Sequence, residues 1–348
     1  MHGNESVCTH LCSNDSRFDI RTGAACSSGD EVQSLTEQQV QICVDRIINE
    51  VIRSADVGET MNSIWSDYVQ GVMTLYLSRK LRFDDHFFTQ YDKVFNLDHD
   101  RELKILEIGC GPGALAEALH RWYPRAQITA IDRDSRFISF ARENITGVNF
   151  MEADAVHLPF DSDSFDITIS YTVQEHIEPS AFWNEQKRVL KPGGVCLCLS
   201  ARKGIQCIAP CLEMTAEEKD FWDSVPQADD ELEKYGVGRY RVSEAGLPIS
   251  MEQHGFADVT AGYALIDLTP DNPGYSSQMA ETMIEAMRQN DLEAIRSAQS
   301  AGAQKAIDSV NAKYDKRLRL YREGIRQWDT NVSVTMIVRG RKEQIPSE

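Results

Sequence analysis

The chain has 348 residues, 42% of them hydrophobic, enough for one large domain or two small ones with a real core. Fifty-four acidic against 36 basic residues give a formal net charge of −18, which repels a phosphate backbone and an anionic membrane surface and suits a basic or neutral small molecule, or a basic partner. Nine cysteines without a secretory leader pattern lead us to expect a reducing cytoplasm, and no run approaches the roughly 18 apolar residues of a membrane span.

Residues 1–33 are rich in Ser, Asn, Asp and Gly and read as a loose arm. Cys8, His10 and Cys12 lie close together there, but no second pair at zinc spacing follows, so no metal is expected. Thr36 with Gln39 makes a capping box ahead of Val40, Cys43, Val44, Ile47, Ile48 and Val51, predicting a helix over 36–54. Met61, Ile64, Trp65, Tyr68, Val72, Leu75 and Tyr76 predict a second helix to about Leu81, and a third is expected over His86 to Phe95.

Ile105, Leu106 and Ile108 form a short apolar run that stops at Gly109-Cys110-Gly111-Pro112-Gly113 and passes into a helical pattern, Ala114 to Trp122. Glycines are required where the backbone turns sharply and a ligand must approach the main chain, and free N–H groups at the helix start attract polar or anionic groups. The next strand, Ile128 to Ile131, ends in Asp132, whose carboxylate can accept both hydrogens of a ribose diol. The unit reads as a nucleoside-binding βαβ; Gly109, Gly111 and Ala114 also satisfy a dinucleotide fingerprint, a weak signal alone.

Further along come Val148 to Met151 followed by Asp154-Ala155, then Leu158-Pro159-Phe160, Phe165-Asp166 and Leu190-Lys191-Pro192-Gly193-Gly194. Together with Glu107-x-Gly109-x-Gly111-x-Gly113 and Asp132, these ordered motifs, covering about residues 103 to 200, resemble the class I S-adenosylmethionine-dependent methyltransferases, in particular the small-molecule branch. The resemblance implies that Glu107, Gly109 and Gly111 surround the amino-acid portion of S-adenosylmethionine (S-adenosylhomocysteine after transfer), with Cys110 and Gly113 also in the cofactor site. It puts Asp132 at the ribose, Asp154 and Ala155 at the adenine, and Tyr171 against the cofactor. Arg133 stands where an apolar residue often flanks the adenine, so it stacks on the ring or points to solvent.

The segment Ser170 to His176 is expected to face the transferred methyl. It lacks the Asn/Asp-Pro-Pro-aromatic motif of amide and nucleobase-amine methyltransferases, which disfavours those acceptors. His176 is the candidate general base, with a backbone hydrogen bond as its alternative role. Thr172 and Gln174 are candidate pocket walls and Glu175 a partner for a cationic acceptor, while Tyr68 and Tyr91 reach cofactor or acceptor or else pack in the core.

Beyond the fifth strand, Val195 to Leu199, nine acidic residues and two lysines lie between Glu213 and Lys234. They make a solvated face or an acidic lid with Phe221 and Trp222 beneath it. Cys196 and Cys198 share one strand face and read as buried; Cys207 and Cys211 follow near the active edge, where a thiol could bind a soft acceptor. A helix over 243–254 leads to a sixth strand, Asp258 to Ile266, and the alternation of Asn331 to Arg339 reads as an edge strand, the seventh. Between them Met279, Met283 and Met287, then Ile307, Val310, Tyr314, Leu318, Tyr321, Ile325 and Trp328, carry a helical stripe, either a cap over the pocket or a homodimer surface.

The expected fold is therefore α/β: a Rossmann-like seven-stranded sheet with an antiparallel last strand, N-terminal helices and a helical cap inserted before that strand. The expected division is an arm (1–33), N-terminal helices (34–100), a cofactor-binding core (101–266, acidic insertion 202–242), a helical cap (267–330) and a last strand with tail (331–348). The expected function is methyl transfer to a small organic acceptor, without nucleic acid or membrane as partner. Alternatives are a protein or RNA acceptor, a non-catalytic cofactor-binding interaction protein and, last, an NAD-dependent oxidoreductase.

Overall fold

The computed structural model describes residues 18–19, 24–25, 64–225, 237–298, 300 and 302–343. Phe18–Asp19 pairs antiparallel with Ala24–Ala25. The candidate helix 36–54 and the Cys8/His10/Cys12 group lie outside the described residues.

From residue 64 onward the chain builds one sheet. Its strands are β1 (Lys104–Ile108), β2 (Gln127–Asp132), β3 (Asn149–Glu152), β4 (Phe165–Tyr171), β5 (Leu190–Cys207), β6 (Phe256–Asp267) and β7 (Thr330–Lys342), in the order β3-β2-β1-β4-β5-β7-β6. The first five are parallel neighbours, and β7 runs antiparallel to both β5 and β6. The strand order reverses between β2 and β4 around β1, and an open α/β sheet binds ligands at the carboxyl ends of the strands beside such a point.

The reading of 331–339 as an edge strand is corrected: β7 is interior. Alternation fails at Met336-Ile337-Val338 because both faces are covered, Ile337 packing with one core and Met336 and Val338 with another. In β5, Gly193 adopts φ +78° and the pairing with β4 slips between Phe165 and Ile167, so Lys-Pro-Gly-Gly acts as a bulge at the strand entrance. Cys196 and Cys198 are buried on one face, whereas Cys207 is exposed and Cys211 half-buried.

The N-terminal helices are α1 (Ile64–Tyr68), α2 (Val72–Arg82) and α3 (Phe88–Phe95). The single helix expected over 61–81 is broken at Gly71, whose extended backbone starts α2 and whose N–H donates to Glu293 Oε1 at 2.5 Å. Sheet-covering helices are α4 (Ala114–Trp122), α5 (Ser135–Asn144), α6 (Pro179–Val189) and α8 (Gly246–Gln253). In α4, His120 and Arg121 in the last turn suit the negative end of the helix dipole.

The segment after β5 forms α7 (Ala216–Ser224), capped by the reciprocal Thr215–Glu218 box, and the long link from β6 to β7 forms α9 (Ser277–Ser297) and α10 (Ala303–Arg322). These helices share a core of Leu212, Phe221, Ile284, Leu292, Ile295, Val310 and Tyr314, while Met283 turns the other way into the main core with Tyr171 and Leu199. Trp222 is 36% exposed and contributes no underside. The apolar stripe also stops earlier than its spacing suggests: α10 ends at Arg322, Gly324 reverses the chain at φ +74°, and Ile325 and Trp328 are 47% and 50% exposed.

Arg317 closes this insertion. Fully buried, it holds Asp329 and Asp271 at 2.8 Å each, and Asp271 also accepts the Gln327 and Trp328 N–H groups, fixing the return into β7.

Candidate active site

At the end of β1 the chain turns through Gly109, Gly111 and Gly113 with φ of +68°, +53° and +90°, a backbone path that side chains rarely adopt. A Cβ on Gly113 would meet Ile145 and Phe150 at 2.8–2.9 Å, and one on Gly109 would overlap Val173. Cys110 N donates to Ile131 O at 2.9 Å, and its thiol is buried and held protonated by burial and the nearby acids. The turn thus hangs on the end of β2.

Asp132 completes that link. One oxygen accepts Gly111 N at 2.8 Å and the other accepts Asp134 N at 2.9 Å, leaving lone pairs on both for a further donor. Burial raises its pKa to about 6, against the two backbone N–H groups that favour the ionised form.

Glu107 lies behind the turn on β1, 2% exposed, with Oε2 lacking any hydrogen-bond partner. Burial, then the charge of Asp132, holds its carboxyl well above the usual carboxylate range. A buried acceptor without a donor is costly, and a ligand bringing an ammonium or N–H group would relieve it.

The far wall is the end of β4. Thr172 sits at φ +55°, donates to Tyr171 O at 2.7 Å and accepts Arg79 Nη2 at 2.8 Å. Arg79 comes from α2 and lies 4.0 Å over the Tyr171 ring. On the same helix, Leu75 Cδ2 faces Gly111, and Tyr76 donates to Glu117 at 2.9 Å, so α2 spans the mouth from the glycine turn to the β4 wall.

His176 follows in a short 3-10 turn, 4.6 Å from Trp65 in an edge-on contact. Its Nδ1 accepts Gly238 N at 2.8 Å, so the neutral ring carries its proton on Nε2, which lies 3.5 Å from Glu175 Oε1. Burial and the field of Arg241 push its pKa down to about 4. The Nδ1 lone pair is thereby committed to the backbone, which speaks for the backbone-bonding alternative.

The other candidates separate. Gln174 is buried and donates to Tyr240 O at 3.2 Å, holding the following loop rather than lining a cavity. Tyr91 is fully buried, packed 5.5 Å from Trp122 and donating to Arg82 O at 3.2 Å, so it is a core residue and not a ligand contact. Asp154 is exposed and accepts Val156 N at 3.0 Å, a turn-forming role, with Ala155 half-buried beside it; Arg133 points to solvent. The Tyr68 side chain lies outside the described residues.

Two contributors escaped the sequence reading. Asp134 caps α5 through Arg136 N and Phe137 N and also accepts Ser66 N at 2.8 Å, tying α1 to the core. Its signal was legible: an Asp directly before the periodic Phe137, Ile138 and Ala141. Arg79 had no such signal, since it stands with Lys80 and Arg82 in the last turn of an amphipathic helix, where basic residues usually face water.

Comparison with known proteins bears on this geometry. Residues 106–198 match the family described as a methyltransferase domain. Those residues form a class I S-adenosylmethionine-dependent methyltransferase domain. Over 99 residues the chain is 35% identical to a ubiquinone/menaquinone biosynthesis C-methyltransferase of Desulfotalea psychrophila, covering 28% of this chain and 40% of that protein. Over 103 residues it is 39% identical to a fatty-acid O-methyltransferase of Mycolicibacterium smegmatis, covering 28% and 37%. The match thus spans less than half of either relative. Among solved structures, phosphoethanolamine N-methyltransferase 2 of Haemonchus contortus superposes with a TM-score of 0.47 at 17% identity, covering 82% of this chain and 61% of that one.

The cofactor of this family is S-adenosylmethionine, and the residues present fit it: a partnerless buried carboxylate oxygen on Glu107, a glycine turn with room only for backbone, and Asp132 with spare lone pairs at the neighbouring strand end.

Proposed function

We propose that this protein transfers the methyl group of S-adenosylmethionine to a small organic acceptor, in a cleft between the carboxyl ends of β1, β2 and β4 and the helix α2. The observation that carries the reading is Glu107 Oε2, buried without a partner beside a glycine turn that Asp132 anchors. The cofactor supplies an electrophilic methyl on a sulfonium, and displacement needs the acceptor held in line with it. Glu107 takes the cofactor's ammonium, Asp132 the ribose hydroxyls, Gly109 to Gly113 the adjoining backbone contacts, and Asp154 with Ala155 the adenine edge. Tyr171 and Thr172 form the methyl-facing wall. With the His176 lone pair bound to Gly238, transfer relies on positioning rather than on an imidazole base.

The relatives support a small acceptor, being named for quinone and fatty-acid methylation. α9 meets α2 through Glu293 and Gly71 and sends Met283 to the Tyr171 core, which supports reading 267–330 as a cap. Val310 and Tyr314 are buried within the chain, so most of the stripe is used internally and a homodimer through it is the lesser reading. Among the described residues no helix is long and apolar enough to cross a membrane. The charge of −18 argues against a nucleic-acid acceptor, and the cysteine usage for a cytoplasmic setting.

The test supplies methyl-labelled S-adenosylmethionine to the protein with a fractionated cytoplasmic extract. Label in the low-mass fraction is expected; label confined to protein or RNA would overturn the small-acceptor reading.

A further inference from the structure

Two guanidinium groups lie inside the fold, Arg317 fully buried and Arg79 half-buried, and the chain treats them differently. Arg317 is clamped by Asp271 and Asp329 at ion-pair distance. Arg79 has a hydroxyl and an aromatic face, Thr172 Oγ1 at 2.8 Å and the Tyr171 ring at 4.0 Å, and no described carboxylate forms an ion pair with it. Withdrawing a cation from water without a counter-charge costs free energy to the extent that it is withdrawn. The partial burial of Arg79 lowers its pKa against the field of Tyr171, while its own charge reaches Glu107 and Glu175.

The surroundings deepen the imbalance. His176 feels Arg241, Arg133 and Arg79, and Glu175 feels Arg241, Arg202 and Arg79. Four arginines from four separate segments therefore converge on the turn at 172–176, in a chain whose overall charge is −18. Arg202 is occupied by Val242 O and Glu244, and Arg133 points outward. Arg79 is the one held against the β4 wall, by Thr172 Oγ1 and the face of the Tyr171 ring.

We propose that Arg79 is the anion-receiving group of the cleft, taking a carboxylate or phosphate oxygen of a small molecule bound there. The inference rests on the methyltransferase reading for its setting but not for its test. Two molecules can present such an oxygen: the cofactor through its amino-acid carboxylate, and an acidic methyl acceptor. An acidic acceptor would reverse the assignment of Glu175 as a partner for a cationic one.

Calorimetry on wild type, Arg79→Gln and Arg79→Lys separates the sources. S-adenosylhomocysteine is compared with 5′-methylthioadenosine, which lacks the amino-acid carboxylate. In parallel, the low-mass extract is passed over an anion-exchange resin before labelling. If the cofactor supplies the anion, Arg79→Gln weakens S-adenosylhomocysteine about tenfold to a hundredfold while 5′-methylthioadenosine changes less than about twofold. If the acceptor supplies it, both nucleosides bind as before, methyl-accepting activity is retained by the resin, and Arg79→Gln raises its KM at least about tenfold with partial rescue by Lys. Arg79→Lys carries the same comparisons if the Gln variant does not fold. Unchanged nucleoside discrimination, together with acceptor activity that passes through the resin or ignores Arg79, overturns the proposal. Absence of labelling in every fraction would sink methyl transfer instead, and Arg79 would then stand or fall on the nucleoside comparison alone.

Discussion

Replacing Asp132 by Asn separates the structural and ligand roles of this carboxylate. Raising its pKa from 3.8 to about 6 penalises the ionised native form by about 3 kcal/mol at pH 7. The sign follows from the direction: the native state binds the extra proton between those values, so this contribution to stability falls as pH rises through the window. Roughly 1.3 kcal/mol of the loss falls between pH 5 and 7 by the same relation. Asn removes that penalty but turns an amide N–H towards Gly111 N or Asp134 N, leaving one buried donor unsatisfied at about 1–3 kcal/mol. The two effects nearly cancel, so at pH 7 the variant should unfold within about 1–2 kcal/mol of wild type. Its stability relative to wild type should decline by about 1 kcal/mol on going to pH 5. His176, with its pKa lowered to about 4, has the opposite slope, its contribution being lost as pH falls below about 6.5, but both proteins share it and the difference excludes it. Affinity for S-adenosylhomocysteine should drop at least about tenfold through loss of charge-assisted ribose bonds. Chemical denaturation at several pH values and titration calorimetry measure the two quantities. Unchanged affinity in a folded Asp132→Asn protein would refute the ribose assignment.

Gly109→Ala should destabilise by at least about 2 kcal/mol, from the φ of +68° and the overlap with Val173; adding Val173→Ala should recover only the overlap part, which denaturant midpoints resolve. Arg317→Met should cost about 3–5 kcal/mol by leaving Asp271 and Asp329 buried without their cation, and adding Asp271→Asn and Asp329→Asn should restore most of it; equal stability of the single variant would contradict the clamp. At saturating cofactor, kcat should show no limb from imidazole titration near pH 6.5, and a limb there that disappears in His176→Gln would reinstate the base. Tyr91→Phe should change cofactor affinity less than about twofold, because its side chain is fully buried and its hydroxyl bonds to Arg82 O inside the core.

The sheet was legible where local chemistry is self-sufficient. The turn from Gly109 to Gly113 needs its glycines whatever surrounds it, and Asp132 is placed by the end of β2 alone. Legibility ended where a second segment decides the outcome. Gly71 is a local breaker signal, but a single glycine in a helical pattern is also tolerated, and what makes it a break is Glu293, 222 positions away, which binds its free N–H. The alternation in 331–339 suggested an edge strand because local spacing does not report how many neighbours a strand will have; cover on both faces of Met336, Ile337 and Val338 comes from elements far off in sequence. His176 was a reasonable base until Gly238, from a loop 62 positions later, took its lone pair.

Net charge and the charge at the cleft are separate quantities, and the difference bears on the acceptor. A net charge of −18 counts every surface carboxylate equally, yet at physiological ionic strength an exposed charge is largely screened beyond about 8 Å. What a small molecule meets in the cleft is the nearby buried groups, which water and salt shield least. There the chain sets the half-buried Arg79 against Tyr171 and Thr172, with the charges of Arg241 and Arg202 felt at Glu175, while acidic residues such as Glu217, Asp220 and Asp223 on α7 are exposed. Global acidity therefore bears on what the protein repels at long range, and Arg79, which pairs with no described carboxylate, bears on the proposed contact with an anion. The proposed anion contact at Arg79 is compatible with an acidic chain, because the two fields act over different distances and only the nearer one discriminates between acceptors.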